Sequence, residues 1–136
     1  MTSFVDTSVL FELLKTDAAD HQWCCDKLAE AKELGPVFVS DAVFSEFSVG
    51  MKEVAEVNET ITAFALARCG YTDEALFRAA KAFRKYKEDH KGPKEGVLPD
   101  FFIGALAASE GKPLLTRDTK KVCSYFPDLE VIAPPI

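Results

Sequence analysis

The apolar positions along the chain follow two rhythms that alternate. Short, largely apolar runs at Phe4-Val5, Pro36-Val37-Phe38-Val39, Pro113-Leu114-Leu115-Thr116 and Leu129-Glu130-Val131-Ile132 have the length of strands. Between them, apolar residues recur three and four apart, which predicts helices. The first helix runs through Val9, Leu10, Leu13 and Leu14, with Thr7-Ser8 as the hydroxyls expected to cap it. A second is expected over 18–34, with Cys24, Leu28 and Ala31 inward and Gly35-Pro36 as its stop. Ser40-Asp41 predicts the cap of a third, whose apolar Val43, Phe44, Phe47 and Val49 surround Glu46 before Gly50.

A fourth helix is expected over 52–68, carrying Val54, Val57, Ile61 and Phe64 and stopped by Gly70. Thr72-Asp73 predicts the start of a long helix over 74–89 with Leu76, Ala80, Phe83 and Tyr86 on one side. Residues 90–96 hold two glycines and a proline and read as a flexible loop. Leu98-Pro99-Asp100 opens a helix with Phe102, Ile103, Leu106 and Ala107 inward up to Gly111. Arg117-Asp118 leads into a short helix through Val122 and Tyr125-Phe126. Strands alternating with helices predict an α/β domain over 1–136, a three-layer α/β/α arrangement around a mostly parallel sheet.

Composition supports that reading. At 136 residues, 48% hydrophobic and 28% charged, the chain has enough apolar surface for a core without disulfide or metal staples. No apolar run approaches the roughly 20 residues of a membrane span, and the start lacks a charged segment followed by a long apolar one. A cytoplasmic location without membrane contact is expected. The four cysteines (Cys24, Cys25, Cys69, Cys123) show no C-x-x-C spacing and are expected to be reduced thiols. His21 and His90 stand singly among polar residues and are expected to be solvated rather than zinc ligands.

Charge complicates the picture. Lys+Arg 16 against Asp+Glu 22 gives a formal net charge of -6, which taken whole argues against a nucleic-acid partner. In an open parallel sheet, however, ligands bind beyond the carboxyl ends of the strands. Two acids stand there: Asp6 ends the first strand, and Asp118 follows the strand closed by Thr116. Glu46 lies among apolar helix positions and Asp100 interrupts the apolar stretch Val97 to Ile103, costly places for an ionised carboxylate without a partner. Singly, each has an ordinary explanation as a cap, a helix-dipole partner or half of an ion pair. Several carboxylates gathered together repel, so the arrangement needs a cation between them. Hard oxygen ligands favour magnesium or manganese.

The ordered set Phe4-Val5-Asp6-Thr7-Ser8-Val9-Leu10, Ser45-Glu46, Pro99-Asp100-Phe101-Phe102-Ile103-Gly104-Ala105, Leu115-Thr116-Arg117-Asp118 and Tyr125-Phe126-Pro127 resembles the PIN domain, specifically VapC-type toxins of type II toxin–antitoxin systems. The likeness covers essentially the whole chain. It implies a PIN-like fold and a magnesium-dependent endoribonuclease, with manganese as an alternative ion. Its catalytic, metal-holding acids would be Asp6, Glu46, Asp100 and Asp118. Ser8 and Thr116 match supporting polar positions; many relatives carry Asn where Ser8 stands. The resemblance also implies a cognate antitoxin partner and a homodimer, for which Leu10, Phe11 and Leu14 are candidate interface residues as well as candidate core.

The basic residues are clustered. Between Arg78 and Lys94 stand seven against two acids, a local +5 that leaves -11 for the rest of the chain. With Phe83 and Tyr86 interleaved, this stretch would lead an RNA backbone toward Asp100, through Arg84, Lys85, Lys87, Lys91 and Lys94 together with Arg117. The same residues equally make a solvated helix face. The rival readings are a non-catalytic PIN-like RNA-binding or regulatory module, a metal-dependent nuclease acting on DNA, and a carboxylate-metal phosphatase. A receiver domain would leave Glu46 and Asp100 unexplained.

Overall fold

The computed structural model describes residues 1–89, 98–117 and 123–135. The expected flexible loop, Lys91, Lys94, His90 and the fourth acid Asp118 lie outside the described residues. In chain order the elements are β1 (Ser3–Val5), α1 (Thr7–Leu14), α2 (His21–Leu34), β2 (Val37–Ser40), α3 (Asp41–Ser48), α4 (Val54–Ala63), β3 (Ala67–Cys69), α5 (Asp73–Asp89), α6 (Leu98–Glu110), β4 (Leu114–Leu115) and β5 (Val131–Ile132), with a short 3-10 turn at Cys123–Tyr125 before β5.

The strands form one sheet in the order β3-β2-β1-β4-β5, and every pairing is parallel. The expected α/β architecture is thus present, with a fully parallel sheet. The chain steps outward in one direction from β1 to β3, then returns to β4 and β5 on the other side. The order therefore reverses between β1 and β4, and a crevice opens there beyond the carboxyl ends. Register locks the two strands: Phe4 faces Leu114, Val5 faces Leu115, and the Asp6 amide donates to the Leu115 carbonyl at 2.8 Å.

Phe4, Val5, Val37, Val39, Leu114 and Leu115 are all buried, as runs covered on both faces must be. Helices α1, α3 and α6 contribute Val9, Leu10, Val43, Phe47, Ile103 and Leu106 to the same core. Leu10 thus belongs to the interior and not to an interface, while Phe11 and Leu14 are exposed. A second cluster joins α5 to α6 through Tyr86, Phe101 and Phe126.

Three expectations about element boundaries need correction. The helix expected over 52–68 is α4 followed by a strand. Phe64 closes the helix, Ala65 takes a left-handed backbone (φ 55), and the amides of Ala65 and Leu66 bond back to Thr62 and Ile61 at 2.9 and 3.0 Å. That is a Schellman ending with alanine where glycine is usual, sealed by buried Ile61 and Leu66. The released chain pairs with β2 as β3. The second helix starts at His21 rather than near 18, because residues 15–21 make two tight turns, Ala18 to Lys15 and His21 to Ala18. The last strand is confined to Val131–Ile132, since the Leu129 amide is used in a turn to Phe126. The glycine stop of α2 holds for a packing reason: a side chain at Gly35 would collide with the backbone of Met1.

No helix among the described residues is long and apolar enough to cross a membrane. The four cysteines are free thiols.

Candidate active site

Asp6 sits at the junction of β1 and α1. Its Oδ1 accepts the Thr7 amide at 2.8 Å and so caps α1. The cap is therefore Asp6 rather than the expected Thr7-Ser8, which frees both hydroxyls for other work. Ser8 Oγ and Thr116 Oγ1 both donate to Asp6 Oδ2 at 2.7 Å. Each hydroxyl has one hydrogen, so the 3.4 Å approach between the two oxygens is a consequence of their shared acceptor. Three donors hold one carboxylate in a single orientation, two from α1 and one from the end of β4.

Thr7 reaches the other way. Its hydroxyl donates to Glu46 Oε1 at 2.8 Å, so one residue binds the first acid through its amide and the second through its side chain. Glu46 is placed by α3, whose start is fixed by Ser40 Oγ accepting the Val43 amide at 3.3 Å. Tyr71 donates to the same Ser40 oxygen at 3.0 Å, and burial pushes the Tyr71 phenol up to about 12. Asp100 lies in the first turn of α6, where the helix dipole favours a negative charge. Packing of α3 against α6 brings Glu46 to Asp100.

One carboxylate oxygen from each of Asp6, Glu46 and Asp100 lies within 4.8 Å of the other two, and all three residues are half-buried. Burial and the negative charge of Asp6 raise the Glu46 carboxyl above its ordinary value, with the Thr7 hydroxyl opposing them; burial is the largest of these effects. A cavity of about 250 Å³ opens over the three acids, and no lysine or arginine lines it among the described residues. Around an octahedral magnesium ion with bonds of 2.0–2.1 Å, ligand oxygens stand about 2.9 to 4.2 Å apart. Three hard carboxylates nearly at that spacing fit a divalent ion.

The residues expected from the sequence separate into groups. Asp6, Glu46 and Asp100 converge, and Ser8 and Thr116 hold Asp6. Arg117 does not reach into the cavity as a free cation: its guanidinium lies 3.3 Å from Glu12 and 3.0 Å from Asp20. Arg84 pairs with Glu88 one turn on at 3.3 Å, and the Lys87 ammonium lies 5.6 Å above the Phe83 ring. His21 is not simply solvated, since Nδ1 donates to the Glu12 carbonyl at 2.9 Å. Sequence reasoning gave Thr7 only a capping role and Phe11, which lines the cavity, only an interface or core role, and passed over Glu12. The last was detectable by the argument used for Glu46, because it interrupts the apolar run Val9, Leu10 and Leu13.

The fold aligns over 99% of this chain and 100% of the other with a chain of VapBC2 from Rickettsia felis bound to a DNA fragment from their promoter, at TM-score 0.71 and 15% identity. VapBC-1 from nontypeable Haemophilus influenzae gives TM-score 0.72 at 15% identity, covering 98% of both chains. VapC20 of Mycobacterium tuberculosis, a Sarcin-Ricin loop cleaving toxin, gives 0.66 at 16% identity over 93% of this chain and 96% of that one. At such identities the likeness is one of fold. No curated protein sequence matches the chain. The family model of the PIN domain matches residues 3–124, a span that runs from β1 past β4 and takes in every residue placed around the acidic cavity; the chain belongs to the PIN domain family.

Proposed function

We propose that this protein is a VapC-type toxin, a divalent-metal-dependent endoribonuclease held in check by a cognate antitoxin. The observation that carries the reading is the convergence of Asp6, Glu46 and Asp100, one carboxylate oxygen of each within 4.8 Å of the others, on one cavity. The similarity of the fold to VapBC proteins and to a Sarcin-Ricin loop cleaving toxin supports it.

Asp6 and Asp100 would hold the ion, magnesium or manganese, with Asp118 completing the acidic set. A divalent ion in this position supplies charge neutralisation for an approaching phosphate and lowers the pKa of water in the site. The protein does the rest. Ser8, Thr116 and the Thr7 amide keep Asp6 from rotating, so the oxygen it presents is fixed before the substrate arrives. Glu46, with a raised pKa and a single donor on Oε1, is suited to accept a proton from the attacking water. The two last turns of α5 carry Arg84, Lys85 and Lys87 beside the start of α6, since Phe83 and Tyr86 lie 5.6 and 5.4 Å from Phe101, the neighbour of Asp100. Those cations would guide a phosphate backbone toward the acids. Exposed Phe11 and Leu14 on α1 offer apolar surface for the antitoxin or a second copy.

The test is cleavage of single-stranded RNA by the purified full chain. Cleavage should vanish with EDTA, return with magnesium, and be lost in Asp6→Asn and Asp100→Asn; Glu46→Gln should lower kcat by about 10²–10⁴-fold. Full activity in Asp6→Asn, or preferential cutting of DNA, would overturn the reading.

A further inference from the structure

Glu12 is a buried carboxylate that the acidic cavity does not use. It is 6% exposed, and such a charge persists only if its partners are well placed. Oε1 accepts the Asp20 amide at 3.0 Å, and Oε2 stands 3.3 Å from Arg117 Nη1. The same guanidinium puts both Nε and Nη2 at 3.0 Å from Asp20 Oδ2. One arginine thus joins two acids, one on α1 and one just before α2. His21 closes the corner by donating to the Glu12 carbonyl. A lysine would have to hold both carboxylates from one nitrogen, whereas the guanidinium meets Glu12 through Nη1 and Asp20 through Nε and Nη2 in a fixed geometry.

The place where this clamp acts gives it meaning. Arg117 is two residues beyond the end of β4, where the last ladder bond is Thr116 N to Ile132 O at 3.0 Å. Past that point the strand no longer fixes the backbone. The Arg117 amide instead donates to Ser8 Oγ at 3.1 Å, the oxygen whose hydrogen goes to Asp6. The side chain of Arg117 is held by α1 and the α1–α2 corner while its main chain holds the hydroxyl that holds Asp6. We propose that Arg117, clamped by Glu12 and Asp20, is a positioning residue that sets the exit of β4 so that Ser8 and Thr116 lock the Asp6 carboxylate. This rests on the reading of Asp6 as part of the active centre.

The experiment uses the full chain and two readouts. Amide hydrogen exchange follows residue 117, with the amides of Val5 and Leu115 as controls, and kcat and KM are measured on single-stranded RNA. In Arg117→Lys and Glu12→Gln the residue 117 amide should exchange at least about ten-fold faster while the control amides keep their rates. The same variants should lose about 10–100-fold in kcat with KM unchanged, the usual cost of removing a partner that orients a metal ligand. A Glu12→Met, Arg117→Met double variant replaces the pair by apolar volume and should recover the melting temperature without recovering amide protection or kcat. A residue 117 amide as protected in Arg117→Lys as in the native chain would overturn the proposal. So would a double variant that regains both stability and full kcat. Retained cleavage by Asp6→Asn would instead count against the active-site reading, while the exchange data still decide whether the clamp sets the β4 exit.

Discussion

At the scale of the residue, Glu46 carries the tension of the site. Burial and Asp6 raise its pKa in the folded chain above the ordinary 4.5, so the folded state binds its proton more tightly than the unfolded state. The stability this proton provides is present in full below the ordinary value and is lost as pH rises through the raised one. At neutral pH the ionised side chain therefore weighs against the fold. Glu46→Gln should melt at a higher temperature than the native chain at pH 7 without added metal, and thermal melts should show that advantage shrinking as pH falls through the carboxyl range. On the proposed function, a divalent ion should narrow that difference: at 100 times its dissociation constant it would stabilise the native chain by about 2.7 kcal/mol by mass action, and Glu46→Gln should gain less. Thr7 belongs to the same balance, since its hydroxyl is the donor that opposes the rise.

At the scale of the element, the helix–strand junction at Ala65 is where sequence pattern and structure part. Left-handed backbone costs an L-residue about 1–2 kcal/mol, and glycine avoids most of that. Ala65→Gly should raise unfolding free energy by about 1 kcal/mol, visible as a shift of about 3–4 °C in the melting temperature. An unchanged or lowered melting temperature would mean that the Schellman bonds do not require that conformation. The same residue explains why the α4–β3 boundary was illegible: stop signals are read from glycine and proline, and the chain stops α4 with alanine. The elements bounded by strong chemistry were legible, namely β1 before Asp6, α3 after Ser40 and α6 from Leu98. The site was legible as far as acids on apolar faces and at strand ends could be recognised. The bonds of Thr7 and the clamp on Arg117 were not, because partners 39 and 97 residues away leave no local trace.

At the scale of the whole molecule, a net charge of -6 conceals a division. The acids gather at the cavity, while Arg84, Lys85 and Lys87 stand on α5, whose Phe83 and Tyr86 pack on Phe101, the neighbour of Asp100. On the proposed function, a phosphate backbone drawn to the last turns of α5 would be led toward the start of α6. Lys85→Glu with Lys87→Glu should weaken RNA binding and lower the salt slope of log K by about 1.4, the value for two single-strand phosphate contacts. Titrations at several salt concentrations read this directly, and an unaltered slope would remove α5 from the binding path.

The bond from Thr116 to Asp6 spans 110 residues. Asp6 leaves the ribosome before Glu46, and Thr116 follows Asp6 by 110 residues at roughly 5–20 residues per second. Until β4 slots in beside β1, the first acid lacks one of the hydroxyls that orient it, and the edge of β1 that β4 will cover is unpaired. Such distant pairings close late because loop entropy opposes them. A growing chain therefore carries Asp6, Glu46 and Asp100 without the assembled cavity until β4 has been made.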